Sequence, residues 1–252
     1  MTLLQAERLT RTFGSLVAVD RVDLAVTGGE IRALIGPNGA GKTTLFHLLS
    51  GLLPPTGGQV FLRGREITRL PMTARVHLGL TRSFQVTSLF PNLTVWENVQ
   101  LAVQTTRGLA PFWRDRGRSV YVREEVQRVL RLVGLDAIAE LYPPQLSHGD
   151  QRRLEIALAL APRPGVLLLD EPTAGMSLGE TVQMTGLIRE VNRAEGVTVV
   201  IVEHDMQVIM DLAHRITVLN QGRVLADGTP AEIARAPEVQ EAYLGRRGAS
   251  GH

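Results

Sequence analysis

Residues 31–44, IRALIGPNGAGKTT, run from a short apolar stretch into three glycines within six residues and then into Lys42, Thr43 and Thr44. An apolar run of this length followed by clustered glycine and a helix-compatible segment reads as strand, tight loop and helix. The stretch fits the spacing G-x-x-x-x-G-K-[ST], in which Gly36, Pro37, Asn38, Gly39, Ala40 and Gly41 form the loop. Without side chains in the way, successive N–H groups of such a loop turn into one concavity, with a helix N-terminus behind them that favours negative charge. The chemistry that fits is phosphate. A strand–loop–helix unit of this kind needs a parallel sheet to sit in, with helices on its faces.

Lys42 is the single lysine among 27 basic residues, all the others being arginine. A compact ammonium fits beside a β/γ-phosphate pair as a point charge where a forked guanidinium does not, which gives that one lysine a local reason. Thr43 then offers a hydroxyl to Mg²⁺. The chain is 252 residues long and 44% hydrophobic, enough for one large core or two modest ones. It contains no cysteine, which removes disulfides and thiolate metal sites from consideration. A net charge of +2 does not imply a nucleic-acid partner. The apolar runs are far too short to cross a bilayer, and the N-terminus has no signal-peptide pattern, so the expected chain is soluble or peripheral to a membrane.

Along the chain, residues 3–8, 17–26, 31–35 and 59–63 read as strands punctuated by Gly28-Gly29 and Gly57-Gly58. Residues from about 75 to 160 read as mainly helical, with Val122, Val126, Val129, Leu130 and Val133 at helical spacing and Gly134 as a stop. Strand and helix patterns then alternate through residues 166–226, which argues for a mainly parallel sheet. Residues 104–120 set four arginines around Phe112 and Trp113, either as a solvated connection or as a docking surface. Residues 246–252 read as a disordered tail.

The run Val166-Leu-Leu-Leu-Asp170-Glu171 would deliver two carboxylates to the end of a buried strand, where the crevice of an open parallel sheet lies. Asp170 is a candidate to hold Mg²⁺ through water, and Glu171 to act as general base on the attacking water. His204 closes the next apolar run on the same edge and can donate to a γ-phosphate and hold the water in line. Gln85 can reach the metal or the water from the junction with the helical stretch. Phe13 is either an adenine-stacking ring or a plain core aromatic. Two readings also stand for Leu146-Ser147-His148-Gly149-Asp150-Gln151: a helix start capped by Ser147, or an anion site made of that start's N–H groups.

Taken together, Phe13, GPNGAGKTT (36–44), Gln85, LSHGDQ (146–151), LLLDEP (167–172), TAGMS (173–177) and VEHD (202–205) resemble the ATP-binding subunits of ABC transporters, in order and spacing and over nearly the whole chain. The resemblance implies an α/β fold: a P-loop NTPase core with a mainly parallel sheet, an N-terminal antiparallel β subdomain and an inserted helical subdomain at about 86–160. Residues 1–245 would form a single ATP-binding domain with ATP and Mg²⁺ as its ligands. The family pairs two such subunits head to tail. Ser147, His148, Gly149 and Asp150 would therefore face, in trans, the γ-phosphate held by the partner's loop.

Two stretches depart from the family pattern. His148 and Asp150 stand where Gly and Gln are common, and Ser177 stands where an Asp usually bridges the subunits. A carboxylate beside phosphate is unfavourable, so Asp150 is expected to cap its own helix. The stretches at 82–99 and 220–245 look most like importers of branched-chain amino acids or of urea and short amides. Their ATPases work on the cytoplasmic face of the membrane with permease subunits, often with a related second ATPase, and indirectly with a solute-binding protein. Residues 86–96 would receive the permease's coupling helix, with Phe90 and Leu93 in that groove. An ABC subunit for lipid extraction or export differs only in its membrane partner. ABC ATPases of ribosomes or DNA typically carry two units or a coiled coil, neither of which this chain shows.

Overall fold

The computed structural model describes residues 1–83, 89–105 and 116–244; of residues 105, 116–119, 243 and 244 only the backbone is described. Gln85, Val86, the tail at 246–252 and most of the arginine-aromatic segment lie outside the described residues. The fold is α/β, built on two sheets.

The first sheet is antiparallel. Strand β1 (Thr2–Phe13) pairs with β2 (Leu16–Thr27) and β4 (Gly57–Leu62), and β4 with the short β5 (Arg65–Glu66). The second sheet has the order β10-β9-β3-β8-β7-β6. In it β9 (Arg215–Asn220), β3 (Ile31–Ile35), β8 (Thr198–Val202), β7 (Val166–Asp170) and β6 (Leu80–Arg82) run parallel, and β10 (Arg223–Gly228) returns antiparallel at one edge.

Because side chains alternate along a strand, the parallel sheet feeds two cores. Leu34, Leu168, Val200, Val202 and Leu219 point toward the antiparallel sheet and α1 (Lys42–Ser50). Ile31, Ala33, Ile35, Leu167, Leu169, Val199, Ile201, Ile216 and Val218 point to the other face, where they join the helical layer. Both faces are therefore covered, which is why β7 and β8 read as nearly continuous apolar runs, while in β3 the one charge, Arg32, is buried against Thr217 and Asp227.

The helical layer lies between β6 and β7 in the chain: α3 (Val95–Thr105), α4 (Arg116–Val133) and α5 (His148–Leu160), followed after β7 by α6 (Leu178–Glu195). Gly134, at φ 70°, ends α4 as its position suggested. The expectation of helix from residue 75 onward needs one correction. From residue 75 on, helix before β6 is limited to the end of α2 (Met72–His77), and β6 forms the far edge of the parallel sheet. Three residues are too few to show a period, and β6 depends on its pairing with β7.

Two arginine arrangements anchor these layers. Arg75 is almost fully buried and donates to the carbonyls of Leu48, Leu49, Thr68 and Leu70, which ties down the C-terminal end of α1; burial pushes its pKa down to about 10. On α4, buried Glu125 accepts from Arg128 at 2.7 Å and from Arg163 at 3.0 Å, and Arg128 reaches Glu195 of α6 at 2.6 Å. Burial alone would raise the Glu125 pKa, but the two guanidiniums outweigh it and the net shift is downward. A lowered folded-state pKa supplies stability that is present above the ordinary glutamate value and is lost as pH falls through the folded value. Glu125→Gln is expected to cost about 1–3 kcal/mol at pH 7. In urea titrations the gap to wild type should close as pH drops below the ordinary glutamate range.

Candidate nucleotide site

Parallel pairing brings the ends of β3, β8, β7 and β6 to one edge of the sheet. From β3 the chain enters the loop Gly36–Gly41 and then α1. Gly36, at φ 149°, passes so close to β9 that a Cβ would sit 2.1 Å from the Leu219 carbonyl oxygen. Gly39, at φ 79°, faces open space, with nothing within 4 Å of where its Cβ would be. One glycine lets the loop lie down on the sheet; the other leaves room above it.

The N-terminus of α1 has no side-chain cap and no acidic residue in its first turn. The dipole of this helix start therefore favours an anion. Lys42 is buried, and its ammonium donates to the carbonyls of Gly36 at 2.6 Å and Pro37 at 3.1 Å, which draws the charge over the loop. Thr43 and Gly39 are exposed, Thr44 is half-buried and Ala40 is buried beneath. The cradle fits a phosphate chain.

Asp170 ends β7 and is buried; its Oδ2 accepts from Arg82 Nη2 at 2.7 Å. A carboxylate and a threonine hydroxyl are hard oxygen donors of the type Mg²⁺ takes alongside phosphate oxygens and water. The next residue, Glu171, holds the left-handed φ of 47° while its N–H donates to Val202 O at 2.8 Å. That conformation costs on the order of 1–3 kcal/mol in a non-glycine residue. It swings the carboxylate out of the strand line and toward β8, where Oε1 meets His204 Nε2 at 2.7 Å. Half-exposed His204 and partly exposed Glu171 form the open mouth of the edge.

Sequence reasoning missed two residues here. Glu203 is buried and takes the Thr173 N–H at 2.9 Å and hydroxyl at 2.6 Å, while its other oxygen accepts the His204 N–H at 3.0 Å. It therefore joins the turn after Glu171-Pro172 to the segment that carries His204. A charge that interrupts an apolar run just before His204 was the available signal. Arg82 had none, since its partner lies 88 residues away.

Of the two readings of LSHGDQ, the structure shows the capped helix start. Ser147 caps α5: its Oγ accepts the Asp150 N–H at 3.1 Å and donates to Asp150 Oδ2 at 2.7 Å, and Arg153 approaches the same carboxylate at 3.7 Å. Ser147 and His148 are exposed and Gly149 is buried. Ser177 likewise caps α6 in a reciprocal box with Glu180. Phe13 is 45% exposed and does not belong to either core; the Arg11 guanidinium covers one ring face at 4.7 Å from the centroid. The Phe90 side chain is also half exposed, beside Asn98, which bonds its backbone N–H and carbonyl.

Residues 19–174 match the family model described as ABC transporter, and residues 223–249 match that described as branched-chain amino acid ATP-binding cassette transporter. This chain belongs to the ABC transporter ATP-binding family. It is 41% identical over 249 residues to the high-affinity branched-chain amino acid transport ATP-binding protein LivG of Salmonella typhimurium, covering 96% of this chain and 98% of that one. It is 39% identical over 243 residues to the lipopolysaccharide export system ATP-binding protein LptB of Acidithiobacillus ferridurans, covering 96% and 97%. Among solved structures, a nucleotide-free ATP-binding cassette from an ABC transporter superposes with a TM-score of 0.84 at 27% identity, over 96% of this chain and 99% of that one. A dimeric bacterial ABC transporter cassette does so with 0.77 at 28%, over 90% and 99%.

The two loop glycines are expected to separate stability from binding. Gly36→Ala forces a backbone clash and should cost about 3 kcal/mol or more in thermal unfolding. Gly39→Ala bears only the left-handed strain, about 1 kcal/mol, yet puts a methyl group where phosphate would approach. Its calorimetric ATP affinity should fall at least tenfold while the melting temperature barely moves.

Proposed function

We propose that this chain is the ATPase that drives import of branched-chain amino acids, acting as one ATP-binding domain over residues 1–245 at the cytoplasmic face of the membrane. The observation that carries the solute assignment is the 41% identity to LivG over nearly both chains, joined to the C-terminal match at residues 223–249. The LptB likeness is nearly as strong along the chain; the C-terminal match is what favours the importer. Among the described residues no helix is long and apolar enough to cross a membrane, so the transport path would belong to partner permeases. A solute-binding protein would act on those permeases rather than on this subunit.

On this reading the loop Gly36–Gly41, Lys42, Thr43 and Thr44 hold the phosphates of ATP, and the half-exposed Phe13 ring stacks on adenine. Thr43, Asp170 and Gln85 would hold Mg²⁺, which would supply charge neutralisation at the transferring group. Glu171 takes a proton as water attacks the γ-phosphorus; a P–O bond forms to that water while the bond to the β-bridging oxygen breaks, leaving ADP and phosphate. Its short contact with His204 holds both side chains at the reacting end, where His204 can donate to the γ-phosphate.

A second copy or a related subunit supplies Ser147, His148, Gly149 and Asp150 in trans. The α5 N-terminus is exposed and its cap is made by one hydroxyl, so a phosphate could be added to it without unfolding the helix. Glu171→Gln removes the base and should trap the closed pair. Light scattering is expected to show the apparent mass doubling with ATP for this variant, and no doubling when Ser147→Arg is added. A variant that binds ATP yet stays monomeric would rule out the homodimer and point to an obligatory second ATPase.

A further inference from the structure

We infer that Arg82 is a positioning residue that serves as countercharge to Asp170 until Mg²⁺ arrives, and so sets how much Mg²⁺ the site needs. The inference rests on the reading of Asp170 as the metal-site carboxylate. Arg82 and Asp170 are 9% and 6% exposed, and their contact is a single 2.7 Å bond from Nη2 to Oδ2. The guanidinium stacks on Phe46, 5.1 Å from the ring centroid, so it is held in place from below as well.

The other arm of the fork is the informative part. Arg82 Nη1 is buried and has no hydrogen-bond partner among the described residues. A buried guanidinium that served packing alone would be expected to use both arms on the carboxylate, because bidentate pairing is the strong geometry and an orphaned donor is costly. Here one arm neutralises Asp170 and the other is left without an acceptor beside a site built for anions. His47 on α1 does not substitute as countercharge: burial and the neighbouring Arg82 charge push its pKa down, against the pull of Asp170.

Two cations then compete for one carboxylate. While Arg82 holds Asp170, its field opposes a divalent ion at the same group; when the ion comes with the phosphates, the guanidinium has those anions to turn toward. The cassette thus keeps a buried carboxylate neutralised when empty and accepts metal mainly together with nucleotide.

The test is calorimetric binding of the non-hydrolysable analogue AMP-PNP across a Mg²⁺ series, with melting temperatures in EDTA, for wild type, Arg82→Met, Arg82→Lys and Arg82→Met/Asp170→Asn. For Arg82→Met the half-saturating Mg²⁺ is expected to fall about tenfold while the metal-free melting temperature drops. Arg82→Lys should stay near wild type in Mg²⁺ requirement, and the double variant should recover the metal-free melting temperature. An unchanged Mg²⁺ requirement with lowered stability would reduce Arg82 to a structural role and overturn the inference. A raised requirement would overturn it too, by making Arg82 an aid to the metal. If wild type binds AMP-PNP with no Mg²⁺ dependence, the reading of Asp170 itself falls; if it binds none, the nucleotide-site reading falls.

Discussion

Parallel pairing of β3, β8, β7 and β6 is the constraint on which the rest of the molecule depends. Strands that run the same way end on the same side, so residues as far apart in sequence as 36, 82, 170 and 203 arrive at one edge with no further device. The cost is that the backbone between strands must return across a face, and those returns are the helices. The register of β7 on β8, with Asp170 opposite Val202, sets how far each carboxylate projects beyond the sheet. A slip of one residue would either draw Asp170 into the core position of Leu169 or put Leu169 where Asp170 stands.

Charge at this edge is already paired within the chain. Lys42 leans on loop carbonyls, Asp170 on Arg82, and Glu171 on His204. Each of these groups would be expensive to leave uncompensated, since one of them is a cation under a loop and another a carboxylate at a nearly dry strand end. On the proposed reading, binding a triphosphate with its metal would be an exchange of partners rather than a filling of bare charges. Such exchange brings less free energy per contact than the contacts themselves would suggest, but it lets the empty protein stay folded.

Much of this was legible in the sequence because it is local. The loop glycines, the apolar runs of β3, β7 and β8, and the stop at Gly134 each follow from a few neighbouring residues, and the structure has them where the pattern put them. What escaped was non-local or too short. β6 is three residues stabilised by a partner strand far along the chain. Arg82 is one arginine among many until Asp170 is beside it. Phe13 looked equally suited to a core, and only the end of a 12-residue strand leaves it half in solvent under Arg11.

The departures at 148–150 and 177 have a common physical sense. Ser147 with Asp150, and Ser177 with Glu180, each close a helix start by a hydroxyl and a carboxylate three residues on. Gly149 packs so closely on Glu180 that a Cβ there would lie 3.2 Å from its Oε1, and His148 comes near Gly175. The two helix starts are therefore one packed unit, each capped from within its own chain. A carboxylate at each start lowers its attraction for an anion, so on the proposed reading a phosphate brought by another subunit would have to compete with a local cap. On the proposed reading, in which two subunits close around ATP and open again after hydrolysis, a weaker grip on that side would favour release.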